Sequence, residues 1–345
     1  MSSLDAARNQ APPIAHLFDD PDLDEISINN NRRVFVCRAG LRTSTNIELT
    51  EQQIQDLAVT IARGVGKEIN ESSPSVSARL KDGSRVQINC PPATPGGYVI
   101  SIRKFNPSNL TTEQLVSTGY MTEKIAHGLV EAVEERQNIA IVGGTGAGKT
   151  TLLNALARHI PAYERIVVIE DTTEIKLAHE DIARLEAGEG VSIRSLLKDA
   201  LRHAPSRIIV GEVRDGAAWD LLQAMNTGHS GGLTTWHADS AALALNRFTN
   251  MCLQADLNMS YSQVRAEIAD AIGLVVLCRH DQRTGRRYVK EIIQIEGYDF
   301  EAQAFELRHL YPEKELRAPP PRAQDHWPSG FTVSPNFPKA VGNGR

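Results

Sequence analysis

Cysteine is scarce in this chain of 345 residues: Cys37, Cys90, Cys252 and Cys278 stand far apart and form no C-x-x-C pair. Neither a thiolate zinc site nor a disulfide framework is signalled, and a reducing cytoplasmic setting is expected. Long apolar runs are lacking too. With no stretch of about 18 apolar residues, no membrane-crossing helix is expected, and any membrane role is peripheral. Residues 1–16 show no basic segment followed by an apolar core, so no secretory leader is expected. Aromatic residues make up 5% of the chain and the formal net charge is -5. That combination removes the overall electrostatic drive and the stacking platforms of a strand-tracking nucleic-acid binder, so direct nucleic-acid binding is not indicated. Hydrophobic residues, at 41%, supply ample material for packed cores, and the length accommodates two domains.

What the chain does have is Gly143-Gly144-Thr145-Gly146-Ala147-Gly148-Lys149-Thr150, a full match to G-x-x-x-x-G-K-S/T. The apolar run Ile139 to Val142 precedes it, and Leu152, Leu153, Leu156 and Ile160 follow at helical spacing, so the context is strand, Gly-rich loop, helix. Glycines let backbone N–H groups turn toward a polyphosphate, and the positive end of the following helix faces the same anion. Lys149 then reaches the β- and γ-phosphates of ATP, and the Thr150 hydroxyl ligates Mg²⁺.

Around this loop the chain reads as α/β. Residues 1–25, with Pro12-Pro13 and the acids Asp19, Asp20, Asp22, Asp24 and Glu25, are expected to be a flexible lead-in. Residues 26–106 are expected to form a small α+β domain. It holds a hairpin around Asn29-Asn30-Asn31, a helix capped by Thr50, a second hairpin turning at Asp82-Gly83 and a strand at Val99 to Ile102. The break at Asn106-Pro107-Ser108-Asn109 leads into a linker over 107–120. Over 121–311, strands at 139–142, 165–169, 207–210 and 233–236 alternate with helices at 149–160, 193–203, 217–226 and 241–253. The alternation predicts a mainly parallel sheet covered on both faces, closed by a hairpin around Asp281 to Gly285. Residues 312–345 carry seven prolines and are expected to be a disordered tail or a partner-binding extension.

Two more strands end in acids: Ile166 to Ile169 runs into Glu170-Asp171, and Ile208 to Gly211 runs into Glu212. In a parallel sheet the C-terminal strand ends share one edge, so both acids are expected at the γ-phosphate. One would activate water while the other holds Mg²⁺; the competing role for each is a helix cap. By the same edge logic His237, after Leu233 to Trp236, is a sensor or hydrogen-bond donor to the terminal phosphate, and His229 in its Gly-flanked loop is a further candidate. Arg85 and Arg103 lie on strands of the first domain. They are either ordinary surface arginines or, if that domain covers the nucleotide, clamps on the γ-phosphate.

The segments GGTGAGKTTLLNAL, RIVVIEDTTEIKL, LRHAPSRIIVGEVRDGAAWDLLQAMNTGHSGGLTTWHAD, SRVQI and ISIRKF resemble the secretion-ATPase superfamily of type II and type IV secretion and pili. Within it the chain is most similar to the conjugal-transfer and type IV secretion branch, the TrbB-like proteins, with CpaF-like pilus ATPases nearby. The resemblance spans residues 26 to about 300. It implies an N-terminal domain joined to a RecA-like P-loop NTPase domain, and a homohexamer working with inner-membrane components of a secretion or conjugation apparatus. Gly143 to Thr151 then match Walker A, with Thr151 at its end. Glu170 matches the water-activating glutamate of the Asp box, and Glu212 the Walker B acid beside Mg²⁺. His229 and His237 match the His box, and Arg85 and Arg103 the arginines that reach the nucleotide. Trp236 stands where the family pattern leads one to expect an aliphatic residue. The missing C-x-x-C pairs argue against the type II export branch. The alternatives are a pilus assembly or retraction motor, a RecA-like nucleic-acid motor, and an ATP-binding scaffold without turnover.

Overall fold

The computed structural model describes residues 12–38, 40–105, 110–188 and 190–312. A short helix α1 (Ala15–Asp19) leads into strands β1 (Leu23–Ile28), β2 (Arg33–Arg38) and β3 (Leu41–Glu48). Helix α2 (Glu51–Gly64) and strands β4 (Ser75–Arg79), β5 (Arg85–Asn89) and β6 (Val99–Arg103) complete the first domain. Its sheet has the order β3-β2-β1-β6-β5-β4, with every neighbouring pair antiparallel. Alternation sorts the side chains. Val76, Val86, Ile88, Ile100 and Ile102 are buried with Ile54, Leu57 and Ile61 of α2, while Arg79, Arg85, Gln87, Ser101 and Arg103 line a cleft on the other face. Helix α2 starts as its sequence requires: Thr50 accepts from the Gln53 amide, and the Gln53 side chain accepts from the Thr50 amide.

Residues 12–25 differ from the expected lead-in. Ile14, Leu17, Phe18 and Leu23 are buried in the first domain's core, so the apolar positions between the acids tie this segment down. The acids find partners, Asp20 with Arg38 and Asp24 with Arg287. Residues 1–11 and the expected tail from 313 onward lie outside the described residues, as do 106–109 of the expected linker. The rest of that linker belongs to the second domain: it contains α3 (Thr112–Ser117), and Leu115 and Tyr120 are buried in that domain's core.

The second domain continues with α4 (Glu123–Glu134), β7 (Ile139–Gly143), α5 (Lys149–Ala157), β8 (Ile166–Glu170), β9 (Ile182–Glu186) and α6 (Ile193–Ala200). Then follow β10 (Arg207–Val210), α7 (Ala217–Asn226), β11 (Leu233–Trp236), α8 (Ala241–Leu253), α9 (Tyr261–Ala271), β12 (Leu274–His280), β13 (Arg287–Asp299) and β14 (Ala304–Tyr311). The sheet order is β14-β13-β12-β7-β11-β10-β8-β9. From β12 to β9 every neighbouring pair is parallel, and β13 and β14 extend the sheet antiparallel. One face packs on α6 to α9 and the other on α3 to α5, the doubly covered arrangement that parallel strands need. Strands β3, β9 and β14 and helix α9 were not legible in the spacing. The three strands lie at sheet edges and are largely exposed, so they lack an apolar run.

Candidate active site

Strand β7 ends in the phosphate loop, whose geometry depends on missing side chains. A Cβ on Gly143 would stand 2.4 Å from the carbonyl oxygen of Cys278 on the adjacent β12, and Gly148 sits at φ +88° as the N-cap of α5. No other residue type suits either position. Beneath the loop the buried Tyr120 hydroxyl lies 3.1 Å from the Ala147 carbonyl and 3.2 Å from that of Gly148. Lys149, 8% exposed, donates to the carbonyls of Gly143 (3.2 Å) and Gly144 (3.0 Å). Burial lowers its pKa, Arg103 adds to that effect, and the Glu212 carboxylate opposes it. Arg103 of the first domain therefore lies within electrostatic reach of Lys149. Lys149 is thus a buried cation at the N-terminus of α5, an arrangement suited to a polyanion.

The strand order β7-β11-β10-β8 sets His237, Glu212 and Glu170 along one edge, progressively farther from the loop. His237 and Glu212 meet: Nε2 is 3.3 Å from Oε1, and Arg214 holds the other Glu212 oxygen at 2.8 Å. Burial works against the Glu212 charge, but the Arg214 hydrogen bond and the charges of Arg214, His237 and Lys149 outweigh it, holding the carboxyl below its usual range. Burial and the nearby Lys149 charge push His237 below its usual pKa despite Glu212.

The Glu170 carboxyl is turned toward the backbone of the loop that follows β8. The residue is 4% exposed, and its Oε1 accepts from the amides of Glu174 (2.8 Å) and Ile175 (3.0 Å). Burial raises its pKa to about 7 even though the two amides favour the charged form. Its carboxyl is a bracket for the loop that follows. That loop is held again by Asn154 of α5, which accepts from the Lys176 amide at 3.2 Å and donates to the Glu174 carbonyl at 3.4 Å. Among the acids that face the first domain are Asp171 and Glu174. Arg85 lies 3.3 Å from Glu174 and 3.7 Å from Asp171, and Arg214 lies 3.3 Å from Asp171. Asp171, Glu174 and Arg214 were missed as individual site residues. The signal available was the second and third acids of the run Glu170-Asp171-Thr172-Thr173-Glu174, set where the strand gives way to a loop.

His229 is a correction of another kind. Its loop precedes β11, so it lies at the opposite edge of the sheet from His237. Ser230 beside it meets Arg136, and the Gly232 carbonyl accepts from the amide of Ile139 at the start of β7. The four residues of β11 span about 13 Å. His229 is therefore not among the groups gathered at the phosphate loop of its own chain. The same far edge holds the buried pair Arg207 and Glu164, joined at 2.6 and 2.9 Å, with Arg136 added at 2.7 Å.

The cleft between the domains has a volume of about 990 Å³. Arg79, Arg85, Arg103, Ser77, Gln87 and Ser101 line one wall, and Asp171, Thr172 and Gly188 line the other. The phosphate loop is not among its walls; Arg103, which lines the cleft and acts on Lys149, connects the two. Among the described residues no group of three or more His, Cys, Asp or Glu side chains is arranged to hold a metal, and no helix is long and apolar enough to cross a membrane.

Comparison with known proteins gives the family. A family model described as type II/IV secretion system protein matches residues 8–306. The conjugal transfer protein TrbB of Rhizobium radiobacter is 36% identical over 285 residues, 81% of this chain and 86% of the relative. The type IV secretion system protein PtlH of Bordetella pertussis is 36% identical over 306 residues, 79% of this chain and 90% of the relative. Among solved structures, the ATPase DotB of Legionella pneumophila superposes with a TM-score of 0.59 at 21% identity, over 85% of this chain and 81% of that one, a likeness of fold.

Proposed function

The chain belongs to the type II/IV secretion system protein family, and from that premise we propose that it is a Mg²⁺-dependent ATPase of a conjugal-transfer or type IV secretion apparatus. The observation that carries the reading is the phosphate loop with buried Lys149 at the head of α5, on the same sheet edge as the paired Glu212 and His237. The loop amides of residues 143 to 151 and the α5 N-terminus receive the β- and γ-phosphates, with Lys149 neutralising them. Arg103 closes over the γ-phosphate from the first domain. Arg85 stands beside it, held by Asp171 and Glu174, and an incoming γ-phosphate competes with those acids for its guanidinium. His237 is a hydrogen-bond donor on the same edge.

Thr150 and Glu212 are the residues that would hold Mg²⁺. Two protein oxygens suit this ion, which takes its remaining ligands from phosphate and water. Bound there, it would supply positive charge to offset that of the phosphates. The water-facing acid is Glu174 rather than Glu170. Glu174 is about one-third exposed toward the first domain's arginines, whereas Glu170 is bound to backbone amides. A base needs access to the proton it accepts.

The domain boundaries we adopt are a first domain reaching to about residue 106 and an ATPase domain from about 110 to 311. Closure of these two lobes on ATP and release after hydrolysis supply the two states of a motor. The working form is a homohexamer on the cytoplasmic side, bound peripherally to inner-membrane components of the apparatus. A phosphate-release assay tests the core of the proposal: wild type hydrolyses Mg·ATP, and Lys149→Ala does not. A wild-type protein that binds ATP without releasing phosphate would reduce it to a scaffold, and strong stimulation by single-stranded DNA with a steep salt dependence would make it a nucleic-acid motor.

A further inference from the structure

We propose that Arg79 and Glu186 are positioning residues for hydrolysis, through which the first domain sets the loop bearing Glu174. The register of the first sheet places Arg79 opposite Arg85 and Arg85 opposite Arg103, on one face of three neighbouring strands. Like charges directly opposite one another destabilise a sheet; Glu25 stands opposite Arg103 on β1, and Arg79 and Arg85 take their anions from across the cleft. Arg85 meets Glu174 and Asp171, and Arg103 lines the cleft that Asp171 and Thr172 also line. Arg79 meets the Glu186 Oε1, and its other terminal nitrogen lies 3.4 Å from the Thr173 carbonyl.

Glu186 is a bridge. Its second oxygen accepts from the Thr173 hydroxyl at 2.8 Å, and it ends β9 in register with Glu170, which holds the Glu174 amide. The Thr173 carbonyl is thus gripped from the first domain and the Glu174 amide from the second, and the Glu174 carboxyl is aimed by both. The Arg79 and Glu186 side chains are 34% and 44% exposed, and a pair so exposed contributes little to stability. Its effect falls on the geometry of the loop instead.

The inference rests on Glu174 as the water-facing acid, and the tests separate the two claims. In the full-length protein, Arg79→Ala and Glu186→Gln should each lower kcat by roughly tenfold to a hundredfold, the cost of displacing a reacting group by about an ångström. KM for ATP and Kd for a fluorescent ATP analogue should stay within about twofold, with the thermal midpoint unchanged. The double variant should be no worse than the poorer single, because both act through one loop. Arg79→Lys, which can still reach one acceptor, should recover part of the loss. Wild-type kcat in both single variants, losses that multiply in the double, or a raised KM with intact kcat would overturn the proposal. An active Glu174→Gln protein would instead overturn the reading of Glu174 itself.

Discussion

The choice between Glu170 and Glu174 gives the sharpest mutational test. Replacing Glu170 by Gln leaves a carbonyl oxygen where Oε1 now accepts from the amides of Glu174 and Ile175, so the loop keeps its shape. The carboxyl already has a pKa near 7 because it is buried, so losing its charge removes little at neutral pH. Glu170→Gln should keep kcat within about tenfold of wild type. Glu170→Ala, which frees both amides, should lose far more. Glu174→Gln removes an acid with access to the cleft. General-base catalysis is worth about 10² to 10⁴ in rate, or about 3 to 5 kcal/mol of barrier, so turnover should fall by that factor with ATP affinity retained. Phosphate release at saturating ATP, run beside equilibrium binding of a fluorescent ATP analogue, separates the cases. An inactive Glu170→Gln protein together with an active Glu174→Gln protein would refute the assignment and return the base to Glu170.

Other outcomes follow from the buried charges. The folded pKa of Glu170 lies above its ordinary 4.5, so the stability associated with its protonated form is fully present below about pH 4.5 and is lost as pH rises to about 7. Relative to Glu170→Gln, wild type should lose on the order of 3 kcal/mol across that window and no more above it, read by urea unfolding at a series of pH values; parallel curves would show that Glu170 does not titrate there. Arg207 is fully buried against Glu164, so Arg207→Ala should destabilise the ATPase domain by about 3 kcal/mol, because it leaves the buried Glu164 carboxylate with Arg136 alone. An unchanged melting curve would contradict that.

The phosphate loop was legible because strand, glycines and helix follow one another within a short span, and each has a local signature. Glu212 and His237 were legible because a parallel sheet puts strand C-termini on one edge. That rule carries a direction, and His229, on the entering side of β11, falls on the other edge for the same reason. The orientation of Glu170 was not legible: β8 is buried along its whole length, so no alternation marks which way its last side chain turns. The role of Arg79 was hidden because its partners come from a loop and an edge strand roughly a hundred residues away. Residues 12–25 read as mobile because their acids outweighed Ile14, Leu17 and Phe18 in the local pattern, although those three side chains are buried in the core.

The account depends on one triphosphate being held between the phosphate loop and the arginines of the first domain. A crystal or cryo-electron microscopy structure of the Glu174→Gln protein with Mg·ATP tests this most directly. It should show γ-phosphate oxygens within hydrogen-bond distance of both Lys149 Nζ and the Arg103 guanidinium, with residue 174 facing them. ATP seated on Lys149 with Arg85 and Arg103 turned away from it would contradict the account.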